Sequence, residues 1–372
     1  MSKYKSRGDR QIAALSIAID LGIPVYLVGA PAMVKTKTLQ AMAVNKGRHL
    51  DVQLLQHKDP TDFGWQVPDV QNGCMRTLAP DWILNMKKAG ETSSPWIEFF
   101  DEVNWASPRV QASCLTFIQD KKIGPIEVAK VSFVMAGNPP DQGGGGFELN
   151  PPFANRIVHI NWEPDTDPWI EGMMSGVWTI PDIPTVPSNW EERVPAKKAM
   201  IASYIKTFPH KLHVFPEAAS QQGGPWPSRR TWEMVSWILA GCEAVGINGD
   251  VELELIAGAI GQGAAIEFLT WLRELDMPDP EALLKDPDSF KLPSRQDKTF
   301  AVLAAVSSAV IAKMTMERWK AGWKVMAKAA KLGSVDVAAA AAKQLAIHRP
   351  KGAAAPQEAV VFLPLFQKAG LL

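Results

Sequence analysis

Cysteine is scarce in this sequence, with three in 372 residues at positions 74, 114 and 242. They form no C-x-x-C pair, which excludes a disulfide framework and a cysteine-rich zinc site. Three reduced, mostly buried thiols are expected. A surplus of charge is also missing, because Lys plus Arg and Asp plus Glu both total 39. Proteins that grip nucleic acid through its phosphates carry a basic excess, so the expected partner is protein rather than nucleic acid. No run reaches the roughly 18 uninterrupted apolar residues of a membrane-spanning helix. The N-terminus, MSKYKSRGDRQ, lacks the apolar core of a signal peptide, and a cytoplasmic protein is expected. The six histidines are scattered. His210 and His213 lie three apart with no second ligand pair, so no metal site is expected there.

Five short apolar runs fill the first half: Val25–Gly29, Leu50–Leu55, Trp96–Asp101, Val131–Asn138 and Ile157–Trp162. Each has strand length, and most are rich in β-branched or aromatic residues, the pattern of strands buried on both faces of a parallel sheet. Helical stretches, such as 8–22, 35–44 and 110–118, separate them. That alternation predicts a three-layer α/β domain. Residues 164–196, rich in Pro, Trp and Asp, read as a connecting loop. The rest reads as helical, over 196–207, 231–244, 251–275 and 298–316, with an Ala-rich stretch at 337–345. Pro278–Pro293 is a proline-punctuated link.

The first apolar run enters Gly29-Ala30-Pro31-Ala32-Met33-Val34-Lys35-Thr36 and then a helix. A phosphate loop reads G-x-x-x-x-G-K-[ST] between a strand and a helix, and Gly29, Lys35 and Thr36 fit that spacing. Backbone amides at the helix start would hold phosphates. Lys35 would reach the terminal phosphates, and Thr36 would ligate Mg²⁺. Val34 stands where the second glycine is expected, and a β-branched residue is a poor substitute where backbone must approach phosphate closely. The third run ends in Asp101-Glu102. Asp101 would hold Mg²⁺ through water and Glu102 would polarise the attacking water; a plain helix cap is the alternative. The fourth run ends in Asn138, which would orient water or touch the γ-phosphate, or else only begin the turn at Pro139-Pro140.

The run from NWASPRVQASCLTFIQDKKIG through FVMAGNPP to PPFANRIVHI resembles the MoxR branch of the AAA+ ATPases. That branch shows an acidic pair, then N-R-A-x-P-x-x-Q-x-x-L-L, an A-T-x-N-P sensor and a D-R-F-like element. Here Asn104, Ala106, Pro108, Gln111 and Leu115 match the second element, with Trp105 replacing its arginine, and Ala136, Asn138 and Pro139 match the third. Ala32 is a further departure, since the family has glycine there. The resemblance spans roughly residues 10 to 310 and is firmest from 95 to 160.

The resemblance implies a P-loop NTPase three-layer αβα AAA+ domain over 1–164, with a five-stranded parallel sheet. A linker over 165–195 and an all-α lid with a C-terminal helical region over 196–372 would follow. Nucleotide would be held by Gly29, Ala30, Pro31, Ala32, Met33, Val34, Lys35, Thr36, Lys37 and Arg230. Arg230 would be the sensor-2 residue facing the phosphates, with Arg229 one residue away as the alternative. Asn138 would be the sensor-1 residue and Arg156 an arginine finger serving the neighbouring subunit. ATP, Mg²⁺, a hexameric ring, a client protein and a partner with a von Willebrand A-type domain are implied. The competing expectation is a nucleotide-binding ring scaffold with little hydrolysis, motivated by Val34 and Ala32. A DNA-acting motor is disfavoured by the zero net charge. Asp59–Trp65 lies where MoxR-like proteins carry a D-x-x-G segment near the ring's central surface and reads equally as a plain Asp/Pro/Gly loop, and Gly143–Gly146 reads as a tether.

Overall fold

A computed structural model describes residues 4–92, 95–138, 146–275 and 277–368. Pro139, Pro140 and Gly143–Gly145 lie outside the described residues. The chain packs as two compact units: residues up to Pro187 with His213–Ala265, and Ser188–Leu212 with Ile266–Leu372.

The first unit is built on a five-stranded parallel sheet. Its strands are β1 (Val25–Val28), β2 (His49–Leu54), β3 (Trp96–Asp101), β4 (Val131–Gly137) and β5 (Val158–Asn161), in the order β2-β3-β4-β1-β5. All five expected strands are present, and with helices around the sheet they form the expected three-layer α/β domain. β1 is an interior strand: Val25 pairs with Val134 on one side and Val158 on the other. β3 and β4 are buried along nearly their whole length, as a parallel sheet covered on both faces requires. β2 departs from that expectation. As the sheet's edge it exposes Val52 and Leu54.

The principal helices here are α1 (Arg7–Leu21), α2 (Lys35–Asn45), α3 (Asp81–Glu91) and α4 (Pro108–Asp120). The Ser6 hydroxyl caps α1 by accepting from the Asp9 amide, and Gly22 ends it in the left-handed conformation at φ 67°. Ser107 caps α4, with Pro108 at its first position. On one face of the sheet Phe100 and Phe133 stack at 6.2 Å, and Phe117 of α4 meets Phe133 edge-on at 5.3 Å. Each buried ring contributes roughly 1.5–3 kcal/mol, which locks β3 beside β4.

The stretch 164–196 is more ordered than a connecting loop. It contains a helix, α5 (Thr166–Ser175), and a 3-10 turn at Trp190–Arg193. Two helices of the first unit follow, α6 (Arg229–Ala244) and α7 (Asp250–Ile260). The single helix expected over 251–275 is broken at Gly261, whose φ is 85° and where a Cβ would sit 3.2 Å from the Pro225 carbonyl. A hairpin, Trp65–Asp69 with Cys74–Leu78, was not legible as strands because both runs are polar and largely exposed.

The second unit is helical. Val194–Thr207 packs on Gln296–Ala312, joined by α8 (Met316–Ala329) and α9 (Val335–Ile347) around Trp319, Trp323, Leu303 and Phe362. The helix expected to run to 316 stops at Ala312, and Thr315 caps the next one by accepting from the Arg318 amide. Among the described residues no helix is long and apolar enough to cross a membrane.

Candidate functional site

The carboxyl ends of β1, β3 and β4 carry the candidate residues. The chain leaves β1 at Gly29, whose amide donates to the Gly137 carbonyl at 3.2 Å. A Cβ on Gly29 would lie 2.7 Å from the Trp162 carbonyl, so close packing requires glycine there. The loop then turns through Ala32 (φ 64°) and Val34 (φ 47°). Both are left-handed, at the two positions where the resembling family has glycine. The indole of Trp162, 1% exposed, donates to the Met33 carbonyl at 3.0 Å and pins the loop from below. Nothing in the sequence pattern marked Trp162 for this role.

α2 starts directly after the loop. Val34 offers no side-chain cap, and among the described residues the amides of Lys35, Thr36 and Lys37 donate to no acceptor. Free first-turn amides pointing out of an uncapped helix suit an anion. This local geometry fits a phosphate group despite the missing glycines.

Lys35 is 9% exposed. Its Nζ donates to the Gly29 carbonyl at 2.7 Å, the Gly137 carbonyl at 3.1 Å and Asn138 Oδ1 at 3.3 Å. Burial pulls its pKa below the ordinary lysine value, and the charges of Asp101 and Glu102 pull it back up. Lys35, Asp101, Glu102 and Asn138 therefore share one locus. Asp101 ends β3 and accepts from the Glu102 amide at 2.9 Å. Glu102 is left-handed at φ 55°, a third residue with Cβ held in that region within this site. Strain of this kind costs on the order of 1–3 kcal/mol and persists where the surroundings impose it.

The asparagine-to-glutamine element after the acidic pair braces the site. Asn104, nearly buried, accepts from the Asn138 amide through Oδ1 at 3.2 Å. Gln111 donates to the Val103 and Ala106 carbonyls at 3.3 and 3.2 Å, which holds the turn following Glu102. A cavity of about 570 Å³ opens beside Asn138 and Asn104, with Tyr26 and His159 on its wall. Lys35 and Asp101 do not line it. Burial pushes the Tyr26 hydroxyl above its usual range and pushes His159 down to about 4.

Two candidate arginines lie elsewhere. Arg156 precedes β5, and Val158 pairs with Val25, the first residue of β1, so Arg156 sits at the amino ends of the strands. It donates to Gln119 Oε1 at 2.8 Å and to the Pro152 carbonyl. The start of α6 is tied to the same end, because Ser228 donates to Asn155 Oδ1 at 2.6 Å. That anchor sets Arg230 beside Arg156, whose pKa is lowered by burial and then by the Arg230 charge.

Among the described residues no cluster of His, Cys, Asp or Glu is arranged to hold a metal ion unaided. Of the cysteines, Cys74 is exposed rather than buried, on the outward hairpin. The Asp59–Trp65 segment forms a 3-10 turn closed by Asp59 and Asp62, and Trp65 and Met75 of the hairpin that follows it are exposed.

No family model matches the sequence, and no curated protein matches it. Among solved structures it is similar to a candidate ATPase from Cytophaga hutchinsonii, with 15% identity, a TM-score of 0.43, and 73% of this chain and 91% of that chain covered. At that level the likeness adds nothing to what the strand order shows.

Proposed function

We propose that this chain is an ATP-hydrolysing AAA+ protein of the MoxR type, working in a ring to remodel or activate a partner protein. The observation that carries the reading is the convergence of Lys35, Asp101, Glu102 and Asn138 beside the free amides that open α2.

The α2 amides and Lys35 would hold the phosphates of ATP. Thr36 and Asp101 would hold Mg²⁺, which neutralises phosphate charge when bound. Asp101 is oriented by the Glu102 amide, and Asn138 is oriented by Asn104. Glu102 accepts a proton from the attacking water, and Asn138 fixes that water's direction. Lys35 exchanges its contacts with main-chain carbonyls for phosphate oxygens. Arg156 and Arg230, at the far end of the strands, would serve a neighbouring copy's nucleotide and make turnover depend on assembly. The balanced charge favours a protein client, and a von Willebrand A-type partner fits the MoxR resemblance.

A second reading, a nucleotide-binding scaffold with little turnover, is favoured by the strained Ala32 and Val34. ATP hydrolysis by the assembled protein, set against Glu102→Gln, decides between them. The motor reading predicts a loss of about 10²–10⁴-fold in the variant. Equal inactivity of both proteins, with nucleotide still bound, would leave only the scaffold.

A further inference from the structure

Chain-wide neutrality hides two oppositely charged blocks. From Glu163 to Glu192 there are seven Asp or Glu and no Lys or Arg; from Arg318 to Lys351 there are eight Lys or Arg and one Asp. Each block carries an apolar surface open to solvent. On α5, Trp169, Ile170, Met173 and Met174 form a helical stripe, and Met174 is 84% exposed. Such spacing ordinarily marks the face that packs on a core. Asp167 and Glu171 stand exposed on the same helix. In the second unit, Trp319, Ile347, Leu363 and Phe366 line a groove of about 310 Å³, with Lys343 and Arg349 among its walls. Ile347 and Leu363 are exposed there.

We propose that the α5 ridge of one copy seats in this groove of a second copy, with Asp167 and Glu171 set against Lys343 and Arg349. Sign decides the pairing. Ridge on ridge would place carboxylates against carboxylates, and groove on groove would place cations against cations, each penalised by like-charge repulsion. Ridge in groove joins opposite charges and covers both apolar surfaces. The two halves are different surfaces, so the contact is head-to-tail and repeats from copy to copy until a ring closes or a filament grows. The inference names the joint of the proposed ring and rests on self-association, not on hydrolysis.

Sedimentation velocity of the full chain, with and without ADP, tests it. Three proteins are compared with wild type: Asp167→Lys with Glu171→Lys, Lys343→Glu with Arg349→Glu, and all four together. Each pair alone should weaken self-association about tenfold or more, and the fourfold exchange should restore it. Wild-type assembly should also loosen as salt rises. Met174→Glu, which leaves the existing charges in place, should dissociate the assembly by itself, and decides the matter if a reversed pair fails to fold. A monomeric wild type, a reversed pair that assembles normally, or a fourfold exchange that stays apart overturns the proposal. Binding of a fluorescent ATP analogue by the same variants keeps the two readings distinct. Nucleotide bound without the predicted assembly behaviour sinks the joint alone, and assembly without nucleotide sinks the ATPase reading alone.

Discussion

The Lys35 ammonium lies 3.3 Å from Asn138 Oδ1, so the cation after the first strand meets the amide that ends the fourth. The contact spans 103 residues of sequence and closes the locus at the carboxyl rim of the sheet. Lys35→Ala removes three donated hydrogen bonds and the charge that would meet phosphate. ATP affinity should fall by about ten- to a hundredfold, or about 1.5–3 kcal/mol. Titration with a fluorescent ATP analogue reads this directly, and an unchanged affinity removes Lys35 from the phosphate site.

Val34 holds φ at 47° with a β-branched side chain. The left-handed region costs such a residue roughly 1–2 kcal/mol, against about 0.5–1 kcal/mol of extra chain entropy lost by glycine. Val34→Gly should therefore raise the melting temperature slightly and tighten ATP binding. A looser or unaffected nucleotide site would show that valine already suits this loop.

Trp162 supports the loop through Met33. Trp162→Phe keeps most of the buried ring but deletes the donor, leaving the Met33 carbonyl without it. A stability loss of about 1–3 kcal/mol is expected, together with weaker ATP binding from a less ordered loop. Thermal unfolding and nucleotide titration of the one variant measure both effects.

Glu98 is buried in β3, where Oε2 accepts from the Trp96 indole at 2.8 Å and Oε1 has no partner among the described residues. Burial raises its pKa from 4.5 to about 8. The folded chain then keeps a proton that the unfolded chain gives up, so stability falls as pH rises between those values. His159 acts oppositely: its value drops from 6.5 to about 4, and stability rises with pH across that window. Of these two groups, only Glu98 still titrates above pH 6.5. The melting temperature should decline from pH 6.5 to 8, and Glu98→Gln should flatten that decline. A wild-type profile already flat there would mean that Glu98 is ionised in the fold.

The sheet was legible because its strands are short, apolar and separated by helices; Trp96–Asp101 had the same bounds in sequence and structure. The rim residues were legible because spacing from a strand end fixes where a side chain stands. Trp162 was not, since its contact with Met33 crosses 129 residues and belongs to no local pattern. The surroundings of Arg230 were not legible either, for a related reason. Sequence marked the start of its helix, but the Ser228–Asn155 contact decides which end of the sheet that start approaches.

Arg230 lies near enough to Arg156 for its charge, after burial, to lower the Arg156 pKa, and among the described residues no ion pair of either is seen. Two guanidinium groups left without a counter-charge repel until something anionic comes between them. If that anion is another copy's nucleotide, its arrival relieves a tension already present in the receiving copy. Dilution would then silence turnover while leaving every copy folded and loaded.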